Sequence, residues 1–202
     1  MFETLVADYP HSGRSQWLMG DIYMTQGRTT EALAAYRAAN PNLGAHYSLT
    51  TQIGRKLMGA GHLRGAEHLL RQVWMEQPEF GTAPALLGVI YSRMGEPESA
   101  EEALRAAIVL QPENRISRHL LASALSDQGR WAEAAVARRQ VISMGEDVWQ
   151  QWAWLAEFEI RAGNALAGAA AFDSARVRTG TPEELAQIDS MAAVLTGPSG
   201  GG

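Results

Sequence analysis

The 202-residue chain has no cysteine. Disulfides, thiolate nucleophiles and cysteine-held zinc or iron are therefore excluded, while the compartment stays open. Lysine is nearly missing too: Lys56 stands alone and arginine carries the remaining positive charge. No apolar run approaches the ~18 residues a membrane-spanning helix needs, so no direct membrane span is expected. The opening stretch MFETLVADYP holds Glu3 and Asp8 and no basic leading region, so it does not read as a signal peptide. As written, the chain reads as cytoplasmic, with the periplasm open if the N-terminus is truncated. The net charge of −5 argues against nucleic acid, whose binders usually carry a basic face.

Catalytic signatures are missing as well. There is no G-x-S-x-G, no H-E-x-x-H, no P-loop and no G-x-G-x-x-G following a strand. The five histidines, His11, His46, His62, His68 and His119, are scattered, and the six-residue gap from His62 to His68 puts them on different sides of a helix. The expectation is a non-enzyme with no metal and no cofactor.

What is present is a period. Gly27, Gly61, Gly95, Gly129 and Gly163 follow one another at 34 residues. Seven positions before each stands a small residue: Gly20, Gly54, Gly88, Ala122 and Ala156. Five positions after each stands Ala32, Ala66, Ala100, Ala134 or Gly168. Such repetition decides the architecture before any local motif does. Within the third unit, Leu87, Tyr91 and Met94 share one helical face, and Ala100, Leu104, Ala107 and Ile108 share another. The intervening Gly95 suits a left-handed helix terminus, Pro97 suits a first turn, and Pro112 stops the second helix. Each unit reads as helix, tight turn, helix, loop. Gly88 and Ala100 are the natural small pair where two such helices approach.

These residues resemble the tetratricopeptide repeat. Leu87, Gly88, Tyr91, Ala100, Ala107 and Pro112 match its pattern in the third unit, Gly54, Ala66 and Pro78 in the second, and Trp152, Leu155, Phe172 and Ala175 in the fifth. The resemblance implies an all-α, right-handed α-solenoid of antiparallel helix pairs, with the first helices lining a concave face. Five repeats are expected over 13–180, at 13–46, 47–80, 81–114, 115–148 and 149–180. Residues 1–12 resemble the end of a preceding repeat: Phe2, Leu5 and Pro10 fall in its columns. They read either as a truncated repeat or as an N-terminal cap. At the other end, Thr181, Pro182 and Glu184 form a capping box, starting a helix over 181–196 that covers the last hairpin. Its stripe would be Leu185, Ile188, Ala192, Val194 and Leu195. Residues 197–202, GPSGGG, read as a disordered tail.

Two residues break the apolar columns. Arg138 stands where Tyr36, Leu70, Leu104 and Phe172 stand elsewhere, and Glu159 stands in line with Tyr23, Leu57, Tyr91 and Leu125. They either pair across the fourth and fifth hairpins or reach solvent separately. The WQQWAW stretch brings Trp149, Trp152 and Trp154 together; Trp152 fills the aromatic slot of the repeat, and the other two serve core, cap or ligand.

By repeat phase, the groove is lined by Arg14, Trp17, Asp21, Met24, Arg55, Met58, Val89, Arg93, His119, Ser123 and Glu157, with Ile116 and Ala153 beside them. Methionine and aromatic side chains adapt to varied partners, and arginine suits carboxylates and carbonyls. The lysine–asparagine set with which chaperone-binding members hold a C-terminal carboxylate is not present, since Thr51, Arg55, Ala85 and Val89 stand there. The expected function is a scaffold or adaptor that docks a peptide or partner helix in this groove, within a larger assembly. The alternative is a structural subunit using its end or convex faces, self-associating through its N-terminal end.

Overall fold

A computed structural model describes residues 12–39 and 47–196. Residues 1–11, read as part of a truncated repeat or an N-terminal cap, and the GPSGGG tail lie outside the described residues. Among the described residues the fold is all-α, with eleven helices and no strand. In chain order these are α1 Gly13–Thr25, α2 Thr29–Ala39, α3 Tyr47–Gly59, α4 Leu63–Glu76, α5 Thr82–Met94, α6 Pro97–Leu110, α7 Arg115–Asp127, α8 Trp131–Ser143, α9 Trp149–Arg161, α10 Ala165–Arg176 and α11 Pro182–Thr196. The chain divides into two compact units, Met1–Met94 with α1–α5 and Gly95–Gly202 with α6–α11. The division falls inside the third repeat, at Gly95. In the first unit α1 packs on α2, α3 on α4, and α5 against α4 and α3. In the second, α7 packs on α6 and α8, α9 on α8 and α10, and α11 against α9 and α10.

The repeating glycines close the hairpins. All five have positive φ, from 71° to 87°. After four of them the next residue's N–H reaches back five positions: Arg28 to the Tyr23 carbonyl, His62 to Leu57, Arg130 to Leu125 and Asn164 to Glu159, at 2.8–2.9 Å. This is the Schellman closure, which only a residue free of Cβ strain joins cheaply. The fourth repeat has Glu146 where Pro78 and Pro112 stand, and there the second helix ends instead on Gly145, with φ 96°.

The columns read from the sequence are the core. Ala32, Ala66, Ala100 and Ala134 are each 0% exposed, as are Tyr36, Leu70 and Leu104. Ile53, Leu57 and Leu87 are equally buried, each burial contributing about 1.5–3 kcal/mol. The close approach takes a particular form in the first two hairpins. A Cβ added at Gly20 would lie 2.5 Å from the Tyr36 ring, and one at Gly54 would lie 2.9 Å from Leu70 Cγ. The glycine is thus closed off by the large residue sixteen positions on, not by the alanine twelve positions on. In the fifth hairpin the glycine is on the second helix: a Gly168 Cβ would lie 2.4 Å from Ile160 Cγ1 and 3.0 Å from the Ala156 carbonyl oxygen, so the small pair meets there with Ile160 closing the gap.

The last helix opens on the capping box: Thr181 Oγ1 accepts from the Glu184 N–H, and Glu184 accepts from the N–H groups of Thr181 and Gly180. The expected stripe is narrower than the periodicity suggests. Ile188 is fully buried, but Leu185 is 39% and Val194 80% exposed, because only α9 and α10 lie beneath the helix.

Candidate functional site

The first helices of the hairpins carry the polar and aromatic groups that the core excludes. In the first unit these groups gather around Asp21. Tyr36, buried at the base, donates its hydroxyl to Asp21 Oδ1 at 2.6 Å. Burial first, then that carboxylate, holds the Tyr36 phenol well above the usual tyrosine range, so it remains a donor. Lys56 of α3 donates to the same carboxylate and lies 5.4 Å over the Trp17 ring and 5.8 Å over Tyr36. Trp17 in turn packs 4.7 Å from Tyr36, centroid to centroid. One α1 carboxylate thus ties its own hairpin to the next. Further along, Arg93 of α5 donates to the Met58 carbonyl at 2.9 Å.

In the second unit the corresponding cluster is built on Arg138. This residue is 1% exposed. One of its terminal nitrogens donates to Gln151 Oε1 and to His119 Nδ1, both at 2.8 Å. Its guanidinium lies 4.8 Å over Trp154 and 5.5 Å over Phe158. His119 meets Trp154 edge-on at 5.3 Å. Burial, opposed by Glu146, lowers the Arg138 pKa to about 10, so it stays charged at neutral pH. Burial first, then the Arg138 charge, lowers His119 below the usual histidine range, with Glu146 acting the other way.

The pairing of Arg138 with Glu159 is not made. Glu159 is buried as deeply, at 1%, but it accepts from Arg139 and from the Asn164 amide at 3.0 Å. The reason is helical phase. One residue is about 100° of turn, so Arg138 and Arg139 leave α8 in different directions, and only the second faces Glu159.

Family models for the tetratricopeptide repeat match residues 57–125 and residues 1–43. The chain is a tetratricopeptide-repeat protein. Solved structures share its fold. A crystal structure of MamA superposes with TM-score 0.70 at 19% identity, covering 87% of this chain and 94% of that one. YrrB, described as a TPR protein with an unusual peptide-binding site, gives TM-score 0.70 at 14% identity, with 94% and 97% covered. PilF of Pseudomonas aeruginosa gives 0.63 at 14% identity, with 94% and 86% covered. No curated protein sequence gives a match.

Set on these repeats, the groove residues read from phase divide into three kinds. Arg14, Arg55 and Arg93 are exposed, and none has an acidic partner among the described residues. Trp17, Asp21, His119 and Glu157 are tied into local networks, Glu157 to Arg161 at 2.8 Å. Met58, Val89 and Ser123 are half-buried. Met24 belongs elsewhere: it is 7% exposed and part of the core, because the end of α1 turns it under the hairpin. Among the three clustered tryptophans, Trp152 is held by Asp147 and by Arg178 over its ring, while the buried Trp149 indole N–H faces the Glu184 carboxylate without closing a well-formed hydrogen bond. Phase missed Lys56. The signal was there: Asp21 and Lys56 are 35 residues apart, as are Met58 and Arg93, so a repeat length plus one marks residues that meet between hairpins.

Proposed function

We propose that this tetratricopeptide-repeat protein is an interaction scaffold that docks a peptide or partner helix on the first-helix faces of its hairpins, within a larger assembly. The observation that carries this reading is the placement of unpaired arginine. Most arginines here are in ion pairs, among them Arg28, Arg64, Arg71, Arg105, Arg130, Arg139, Arg161, Arg176 and Arg178. Arg14, Arg55 and Arg93 lie on α1, α3 and α5 and have no ion pair among the described residues, Arg93 giving one donor to the Met58 carbonyl, in a chain whose net charge is −5. An exposed arginine with no acidic partner retains donors for a carboxylate or carbonyl from outside. A face held by Asp21, Lys56 and Tyr36 would meet that partner without much ordering cost of its own. The peptide-binding description of YrrB supports the same direction.

The alternative, a structural subunit acting through end or convex faces, draws on exposed apolar side chains away from the first helices, such as Leu166 at 89% and Val109 at 79%. Affinity capture with the Arg55→Glu, Arg93→Glu double variant separates the two. Loss of the captured partner is expected; unchanged capture would transfer the function to the other faces. Light scattering against concentration reads self-association, and a turnover screen tests the non-catalytic assignment.

A further inference from the structure

Arg138 is out of place in its column. Tyr36, Leu70, Leu104 and Phe172 fill the equivalent slots, yet here a guanidinium is 1% exposed with no carboxylate paired to it among the described residues. Its Nε is buried without an acceptor. A buried charge lacking a counter-charge costs stability, and the apolar residue used in the other repeats would remove that cost.

The charge has one consequence at the surface. A guanidinium can only donate, so His119 Nδ1 must accept from it, and the single proton of the neutral ring sits on Nε2. That N–H points away from Arg138 and finds no acceptor among the described residues. The ring meets Trp154, 36% exposed, and one turn earlier on α7 stands Ile116, 67% exposed. Glu146, whose charge acts on His119, is turned to the Gln151 amide at 2.9 Å and to Arg115 at 3.9 Å. Glu157, on the same face of α9, is engaged by Arg161.

We propose that His119, backed by Arg138 and bordered by Trp154 and Ile116, receives a side-chain carboxylate from an acidic segment of a partner protein. The occupant is an internal Asp or Glu flanked by an apolar residue. A single outward N–H suits one oxygen of a side chain, whereas a chain terminus would need donors for both oxygens. The guanidinium behind the ring, with no carboxylate in direct contact among the described residues, favours an anion over a neutral amide. This inference rests on the first-helix docking reading and names the ligand chemistry for the second unit.

The test uses the full chain, with NMR signals from the His119 ring and the Trp154 indole. The probe is a nonapeptide blocked at both ends with Leu-Glu-Leu at its centre. Its comparators are the Leu-Gln-Leu analogue and that analogue with a free C-terminus. The Glu peptide should shift both rings and bind about tenfold more tightly than the blocked Gln analogue. The preference should vanish in His119→Phe and shrink in Arg138→Met, each checked for helicity by circular dichroism. His119→Phe carries the test alone if Arg138→Met is unfolded. Arg71→Gln, on a second helix of the other unit, should leave the preference intact. Equal binding of the Glu and Gln peptides would overturn the proposal. So would a preference that survives His119→Phe, tighter binding of the free C-terminus, or silent rings at millimolar peptide. Silent rings with a shifted Trp17 would overturn this site alone and keep the docking reading; no shift at any first helix would count against both.

Discussion

Gly20→Ala is the sharpest test of how the hairpins pack. In an open helical position this change stabilises by about 1 kcal/mol, because alanine loses less backbone freedom. Gly59 is such a position: a Cβ there would meet nothing within 4 Å. At Gly20 the same Cβ would lie 2.5, 2.6 and 2.9 Å from three atoms of the Tyr36 ring. The ring cannot retreat easily, being fully buried, packed on Trp17 and hydrogen-bonded to Asp21. Overpacking of this kind costs about 1–3 kcal/mol, and pulling the hydroxyl from Asp21 adds about 0.5–1.5 kcal/mol. Set against the propensity gain, the net is a loss of about 1–3 kcal/mol for Gly20→Ala and a gain of about 0.5–1 kcal/mol for Gly59→Ala. Urea unfolding followed by circular dichroism measures both. Amide exchange in α1 and α2 should show the loss locally, since repeat arrays open in parts. In a Tyr36→Ala background the sign at Gly20 should reverse, because the obstructing ring is gone. If Gly20→Ala stabilises as much as Gly59→Ala, the close-approach account of the glycine column is wrong.

Other outcomes follow from the same contacts. Thr181→Ala removes a capping acceptor and should lower the protection of α11 amides by about 1 kcal/mol in hydrogen exchange, leaving α1–α5 unchanged. Arg139→Met leaves the buried Glu159 with only Asn164; since Arg139 is half exposed, the expected loss in urea is about 1–2 kcal/mol, and Arg139→Lys should recover part of it. The folded-state pKa of His119 is depressed, so its contribution to stability is fully present above the unfolded value of about 6.5 and is lost as pH falls below it. Wild type should therefore lose more stability between neutral pH and mildly acidic pH than His119→Gln does; equal losses would remove His119 from that response.

The period of 34, the five closing glycines and the buried columns were all legible in the chain. Each rests on a local rule: a glycine is needed at positive φ, and an apolar residue recurs where a helix faces its neighbour. The same phase placed Trp17, Asp21 and His119 on the first helices, because face membership depends only on helical pitch. Partnership does not. Asp21 meets Lys56, and Arg138 meets His119 and Gln151 while Glu159 takes Arg139. Each depends on the rotation of one helix against another and on side-chain reach, to within an ångström or two. Met24 passed from surface to core for the same reason. The sequence by itself determined that these helices pair and which residues they bury, because periodicity acts along one chain. Only the tertiary structure decided which charges meet and which arginines stay unpaired, because those depend on distances between helices that no spacing encodes.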